Sequence, residues 1–413
     1  MRIVHFTWEF PPLIYGGLGT FASELALQQK KKGNNVSVYS LNKENEYDSY
    51  SDWKGIDVYR PKTIDLDDVF YLFSDRELKS WGSNFGFFSD VINYNVTSAI
   101  KSIERIKDRK NVFFDIVDVH DWLGVLSGIA LKKELDIPLI FHIHSTEVGR
   151  SLGRGSHIIK DIEFEGGQVA DGIITVSHAM KDELEKLGFP SEKINVCWNG
   201  IDPKKYKIEN VSIDDIRKLK ERYGIDPKEN LLFFIGRLVS VKGIDKLVKA
   251  MPMVLDENPD TKLLILGIGD MLDDLKRLAE DLDVRKNIIF RDEFVDEEER
   301  IIHYAASDVV VLPSIYEPFG IVCTEAMSMS KPVVVGARGT NGFREQVIPK
   351  GEKQNGFHVD GSSPSDIAWG INEVLSFSDK GKKLGLNGRK RVEKLFSWEK
   401  VAQRTEEIYK KYL

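Results

Sequence analysis

Cysteine is almost missing from this chain: Cys197 and Cys323 are the only two among 413 residues, and they form no CxxC pattern. That shortage excludes a disulfide framework and a zinc knuckle, both of which need clustered thiols. Long hydrophobic runs are missing too, since none approaches the roughly 18–20 apolar residues that span a bilayer. The opening Met1-Arg2-Ile3-Val4-His5-Phe6-Thr7-Trp8-Glu9 reaches Glu9 and Pro11 too early for the core of a secretion signal, so a cytoplasmic location is expected. There is no basic tract, and 58 Lys+Arg against 65 Asp+Glu leave a net charge of −7. Nucleic acid is therefore not an expected partner, because phosphate neutralisation needs clustered cations. No repeat of about 20–50 residues and no low-complexity tract occurs, which removes solenoids and propellers. What is there is ordinary globular composition, 42% hydrophobic and 30% charged. At about 150 residues per domain, the length favours two or three domains with cores of their own.

Short β-branched runs alternate with amphipathic stretches, the pattern of parallel sheets with helical crossovers. Residues 3–7 read as a buried strand, 18–29 as a helix ended by Lys30-Lys31-Lys32-Gly33, and 35–39 as the next strand. The stretch 44–88, rich in aromatics and charge, breaks the rhythm and reads as an insertion or a substrate-facing loop. A helix near 90–107 precedes strands at 113–120, 138–145, 172–177 and 194–199. The turn-rich Asn199-Gly200-Ile201-Asp202-Pro203 and the polar helix after it mark a domain boundary. Beyond it, strands at 231–235, 262–266, 287–290, 308–312 and 332–336 alternate with helices as five further units. The expected fold class is α/β, two Rossmann-like doubly wound domains facing across a cleft at the carboxyl ends of both sheets.

Several loops combine glycine with charge at the point where a strand gives way to a helix. Tyr15-Gly16-Gly17-Leu18 lets backbone N–H groups approach a ligand at a positive helix end, or simply serves a loop that needs unusual dihedrals. Gly236-Arg237-Leu238-Val239-Ser240-Val241-Lys242-Gly243 offers a forked and a point cation to a diphosphate; otherwise it is a solvated loop. Glu317-Pro318-Phe319-Gly320-Ile321 leaves a buried strand and enters a helix that carries Glu325. Proline biases Glu317 to extended geometry, and the N–H groups of Phe319, Gly320 and Ile321 are first-turn donors for a phosphate or a sugar. Glu325 is placed to accept from vicinal ribose hydroxyls, unless both carboxylates merely serve the helix dipole. In the first half, His120-Asp121-Trp122 and His142-Ile143-His144 both end strands. His142 and His144 share a strand face, so a metal reading with His120 or Asp121 exists; the favoured one has one histidine bonding a polar ligand and the other satisfied in the core. Gly149-Arg150-Ser151-Leu152-Gly153-Arg154-Gly155 reads as a mobile lid or acceptor loop, or as a plain connection. Gly267-Ile268-Gly269 resembles a nicotinamide dinucleotide fingerprint with Asp292 as the ribose acid, but Leu272 stands where the third glycine belongs.

Six of these motifs, in this order and over essentially the whole chain, resemble the retaining glycosyltransferases of the two-domain GT-B architecture, in particular the glycogen and starch synthase-like group. They are the Gly-Gly loop, His-Asp-Trp, the strand ending in His144, Asn-Gly-Ile-Asp, Gly-Arg-Leu…Lys-Gly, and the Glu-x7-Glu pair Glu317 and Glu325. The resemblance implies that Arg237 and Lys242 hold and stabilise the departing diphosphate, that Glu325 binds the ribose, and that Glu317 with the Phe319-Gly320-Ile321 backbone contacts the transferred sugar. It also implies that Gly16 and Gly17 approach the diphosphate from the other domain, that His144 bonds a sugar hydroxyl, and that Asp121 lies where donor and acceptor meet. The base would lie near Phe294 and Val295. The implied domains are 1–200 with a final helix at 398–413 crossing back, and 201–397 for the donor. No cofactor or metal is implied, because the nucleotide-sugar is a substrate and no DxD cluster flanks the diphosphate site. The partners are that donor and an oligo- or polysaccharide acceptor.

Where that group carries Lys-x-Gly-Gly-Leu with a following Asp, this chain has Ile14-Tyr15-Gly16-Gly17-Leu18 and Thr20, closer to the broader retaining family. The leading expectation is glucose transfer from ADP- or UDP-glucose to an α-glucan, as by a glycogen synthase. Transfer to another acceptor, in trehalose, maltose-1-phosphate or cell-envelope glycan synthesis, is the neighbouring one. An NAD-dependent oxidoreductase and a two-lobed sugar-binding protein are the rivals from other classes.

Overall fold

The computed structural model describes residues 1–74, 76–108, 113–376 and 378–413. Among the described residues, fourteen strands form two sheets. The first contains β1 (Arg2–Phe6), β2 (Asn35–Tyr39), β3 (Tyr50–Trp53), β4 (Ile56–Tyr59), β5 (Ile116–His120), β6 (Leu139–Ile143), β7 (Gly172–Thr175) and β8 (Ile194–Val196), in the order β3-β4-β2-β1-β5-β6-β7-β8. The second contains β9 (Asn230–Ile235), β10 (Thr261–Leu266), β11 (Ile288–Arg291), β12 (Val309–Leu312), β13 (Val333–Gly336) and β14 (Gly356–Val359), in the order β11-β10-β9-β12-β13-β14. All pairings are parallel except β3 with β4.

Helical crossovers cover both faces of a parallel sheet, which is why its central strands read as unbroken apolar runs. β12 and β13 are buried at every position. β5 and β6 are buried throughout as well, yet they carry Asp118, His120 and His142 into that core. Helix starts bear the expected oxygen caps: Ser177, Ser212, Asp296, Ser363 and Ser397 each accept a first-turn backbone N–H.

Two readings of the sequence are corrected. Residues 44–88 are not a bare insertion: β3 and β4 form a hairpin through Lys54-Gly55 that extends the first sheet beyond β2, and helices Asp67–Phe73 and Arg76–Lys79 follow. Each strand is only four residues long and carries charge, so no apolar run announced it. The second sheet has a sixth strand, β14, whose Gly356 sits tight against Val333 and whose His358 interrupts the pattern.

The last helix, Trp398–Tyr409, packs on the first sheet and its first helix, Gly17–Lys31. Asn34 donates to Glu406 at 2.8 Å, and Tyr409 donates to Asp118. Trp398 lies where a Cβ on Gly200 would fall, 2.6 Å away, so the chain can pass this point only with glycine. Among the described residues, no helix is long and apolar enough to cross a membrane.

Candidate active site

Open parallel sheets leave a crevice where the strand order reverses, because the loops on either side diverge. In the first sheet that point lies between β1 and β5, and in the second between β9 and β12. The four loops leaving these strands contain Gly16, Gly17, Asp121, Arg237, Lys242 and Glu317, so the topology gathers the residues that the motifs singled out.

In the second domain, the loop after β9 is pinned to the loop after β12. Val241 accepts from Ile315 N–H at 2.8 Å, and Gly243, at φ 65°, lies so close to Pro313 O that a Cβ would sit 2.2 Å from it. This pinning aims Lys242 Nζ at Glu317 Oε2, 2.5 Å away, while Ser314 Oγ donates to the same oxygen at 3.3 Å. Glu317 Oε1 meets no donor among the described residues, and two of the three ammonium protons remain for a ligand. Arg237 is exposed and without a charged partner among the described residues. Gly320, at φ 83°, opens helix Ile321–Ser328, and the N–H groups of Phe319, Gly320 and Ile321 find no protein acceptor among the described residues. The Phe319 side chain is in the core, so only its backbone faces a ligand.

Glu325 is buried. Its side chain is 8% exposed, and it accepts from Tyr206 at 2.9 Å and from Tyr304 at 2.7 Å, with the Arg300 guanidinium at 3.5 Å. Burial first, and then the neighbouring carboxylate, push both tyrosine hydroxyls well above their ordinary range. Any ribose would have to share this carboxylate with two phenols. Of the pair expected near the base, Phe294 is 72% exposed and open to stacking, whereas Val295 is buried and its side chain belongs to the core.

In the first domain, Gly16 and Gly17 are exposed at the start of helix Gly17–Lys31, which has no side-chain cap. Glu9 fixes the chain just before that start, its Oε2 accepting from Tyr15 N–H at 2.8 Å and Gly16 N–H at 3.0 Å, and leaves the first-turn N–H groups uncapped. Sequence reading passed over Glu9, and its place between β1 and Pro11 was the available signal. Asp121 is buried and left-handed at φ 55°, a strained backbone for a residue with a Cβ. Its Oδ1 accepts from His144 N–H at 2.7 Å and so ties the ends of β5 and β6 together.

Four imidazoles line up behind this loop, and His5 is the one that the sequence reading did not name. The His142 and His144 rings stack at 4.8 Å and 6°, His120 lies over both, and His5 lies beyond it. Burial lowers the affinity of all four for a proton, to about 3 for His142 and His144. The expected satisfied core histidine is corrected: neither ring nitrogen of His142 makes a hydrogen bond among the described residues, and Nδ1 only approaches the Asp118 carboxylate at 3.5 Å. Nitrogens of His120, His142 and His144 come within 4.8 Å of one another, the only cluster on the cleft side able to offer three imidazoles among the described residues. Parallel rings point their lone pairs side by side rather than at a common centre, and both nitrogens of His120 are engaged in hydrogen bonds.

The two domains meet at this crevice. A Cβ on Gly17 would lie 3.9 Å from Ile321 Cδ1, so the two unfilled helix starts face each other across it. Tyr316, next to Glu317, reaches into the first domain, where its hydroxyl accepts from Thr146 N–H at 3.3 Å and packs on Gly149. Glu345 accepts from Ala179 N–H at 2.9 Å and from Trp198 Nε1 at 2.7 Å. The segment read as a mobile lid is tied down instead. Arg150 pairs with Glu163 at 2.9 Å and with Glu147 at 3.2 Å, and Thr146 caps the short turn that carries them. The dinucleotide reading of Gly267 and Gly269 gives way to packing. Cβ atoms there would fall 1.9 Å from Gly236 O and 2.4 Å from Leu238 O, so these glycines admit the neighbouring loop rather than a pyrophosphate.

Comparison with known proteins agrees with this geometry. Residues 15–205 match the family described as Glycosyltransferase Family 4, and residues 215–391 match Glycosyl transferases group 1. An uncharacterized glycosyltransferase of Methanocaldococcus jannaschii is 33% identical over 416 residues, covering 99% of this chain and 98% of that one. A glycogen synthase of Mycobacterium tuberculosis is 28% identical over 421 residues, covering 99% and 94%. The solved sucrose-phosphate synthase of Thermosynechococcus elongatus superposes with a TM-score of 0.79 over 100% of this chain and 99% of that one, at 20% identity, a likeness of fold. With two facing Rossmann-like domains and a relative this similar over its full length, the chain belongs to the GT-B glycosyltransferases and is an enzyme of that family.

Proposed function

We propose that this enzyme transfers glucose from ADP- or UDP-glucose to an α-glucan with retention at the anomeric carbon. The observation that carries the reading is the approach of Gly17 to Ile321, which sets two uncapped helix starts on either side of the site of Lys242 and Arg237. The C1–O bond to the diphosphate breaks with its electron pair leaving on phosphate, so negative charge grows where N–H dipoles and cations converge. Lys242, held by Glu317, serves the leaving phosphate while Arg237 forks onto it. Glu317 Oε1, the Phe319–Ile321 N–H groups and His144 are the groups assigned to the sugar. The acceptor oxygen then bonds to C1 on the face that the diphosphate left, and its proton passes to a departing phosphate oxygen. Retention and the glucan acceptor are supported by the family motifs and by the glycogen synthase relative.

Nucleotide release from ADP- and UDP-glucose with glycogen as acceptor is the test, alongside thermal protection by ADP, UDP and NAD. Release with protection by one nucleotide diphosphate is expected, and it should survive a strong chelator. Lys242→Ala should lower turnover by about a hundredfold or more. Protection by NAD alone, or donor binding without release for every acceptor, would defeat the proposal. Loss of activity on chelation would return the three imidazoles to the role of metal ligands.

A further inference from the structure

We propose that a hydrogen-bond chain from Asp118 to His144 decides which nitrogen of His144 carries the proton, and that this makes the enzyme select a donor sugar with a hydroxyl, not a carboxylate, opposite that ring. The inference rests on the reading of the cleft as a nucleotide-sugar site and names the groups that keep its donor a neutral hexose.

The chain begins at Asp118, fully buried in β5, to which Tyr409 of the last helix donates its hydroxyl proton. With that proton committed, the Tyr409 oxygen can only accept, and Gln29 Nε2 lies 3.4 Å from it. The orientation of the Gln29 amide is thereby set, since the flipped amide would leave an oxygen facing a phenol that has no proton left to give. Gln29 Oε1 then faces His5 Nε2 at 2.7 Å, so Nε2 of His5 bears the hydrogen and Nδ1 is bare. His120 Nε2 lies 3.1 Å from that bare nitrogen and must donate to it. His120 Nδ1 is in turn bare, and His144 Nε2 donates to it at 3.2 Å.

Each neutral imidazole passes the polarity on, because it has one donor and one acceptor. The burial that keeps the rings neutral supports the same assignment. At the end of the chain, His144 Nδ1 is left as a bare acceptor with no protein partner among the described residues. His144 is the half-buried member of the column, two residues from the contact between Thr146 and Tyr316 of the other domain. A sugar hydroxyl can donate to that nitrogen. A uronate carboxylate cannot, and the two lone pairs would face each other out of water. Asp118, Tyr409, Gln29, His5 and His120 are positioning residues in this scheme, since none of them touches the sugar.

The experiment compares UDP-glucose with UDP-glucuronate, and ADP-glucose as a further neutral donor, with glycogen as acceptor, and reads histidine ring ¹⁵N shifts on the full chain. The glucuronate donor should be poorer by about a hundredfold or more in kcat/KM. His144 should show a protonated Nε2 and a bare Nδ1 at neutral pH. Tyr409→Phe, which frees the Gln29 amide, should narrow the donor preference by about tenfold through KM and split the His144 signal between tautomers. Comparable rates with the two UDP-sugars would overturn the proposal, as would a His144 protonated at Nδ1. If no nucleotide-sugar turns over, the functional reading fails, while the ¹⁵N shifts still decide the polarity of the chain without any substrate.

Discussion

At the scale of single residues, burial has set the charge states around the first switch point. His142 and His144 are pushed down from 6.5 to about 3, and His5 and His120 are lowered too, all chiefly by desolvation. A depressed folded value means that the native state refuses protons the unfolded chain accepts. The resulting stabilisation is present above 6.5 and is lost as pH falls toward 3. Asp118 runs the other way: burial raises it from 3.8 to about 6, so its contribution is present below 3.8 and lost as pH rises through 6. On acidification it therefore offsets one histidine of the four. Each uncompensated imidazole contributes a slope of about 1.4 kcal/mol per pH unit. With Glu163, raised from 4.5 to about 7 by burial, offsetting a second histidine, urea unfolding at pH 7, 6 and 5 should show a fall of about 3 kcal/mol across that range. His142→Leu should flatten the slope by about one histidine and hold or raise stability at pH 7, because it removes from the core two ring nitrogens that make no hydrogen bond. Equal stability at pH 7 and pH 5 in the parent chain would contradict this account.

At the scale of elements, the site depends on how tightly loops are pressed against strand ends. Gly320 is required twice, by φ 83° and by Phe343, whose Cε1 would lie 2.2 Å from an added Cβ. Gly351 shares the positive φ, at 87°, but has nothing within 4 Å. Gly351→Ala should cost about 1 kcal/mol, and Gly320→Ala about 2–4 kcal/mol in urea unfolding. Gly320→Ala should also lower kcat/KM by about a hundredfold, since the shifted helix start misplaces its donors. Equal costs for the two variants would show that backbone conformation alone governs the position. Elements were legible where the period was clean. β9, β12 and β13 read directly as apolar runs, and the Glu317-Pro318-Phe319-Gly320 turn announced itself by residue type. β3, β4 and β14 did not, because four residues with a charge, a histidine or a glycine among them are too short to carry a period.

At the scale of the whole molecule, the two domains are joined by a few specific contacts beside the active site. Glu345 bridges to Trp198 and to the start of helix His178–Lys186, and Tyr316 enters the first domain one residue from Glu317. Removing the Glu345 bonds should loosen the contact between the domains without touching either core. Glu345→Ala is expected to enlarge the radius of gyration in small-angle scattering and to raise the donor KM about tenfold, with the urea midpoint little changed. An unchanged radius and KM would mean that the approach of the two domains does not depend on this bridge.

Local chemistry was enough to determine the two-sheet α/β class and the loops where ligands meet it. Strand periodicity and the pairing of glycine with charge at strand ends are short-range properties, written within about ten residues. The commitments of those side chains were not readable in that way. Glu325 sits between Tyr206, Tyr304 and Arg300, Glu9 occupies the Gly16 N–H, and the polarity of His144 starts at Asp118 and Tyr409. Such partners lie far apart along the chain and meet only when β1, β5, β6 and the last helix have packed. Burial then removes water as an alternative partner, so tertiary structure alone decides which group donates, which accepts and which stays uncharged.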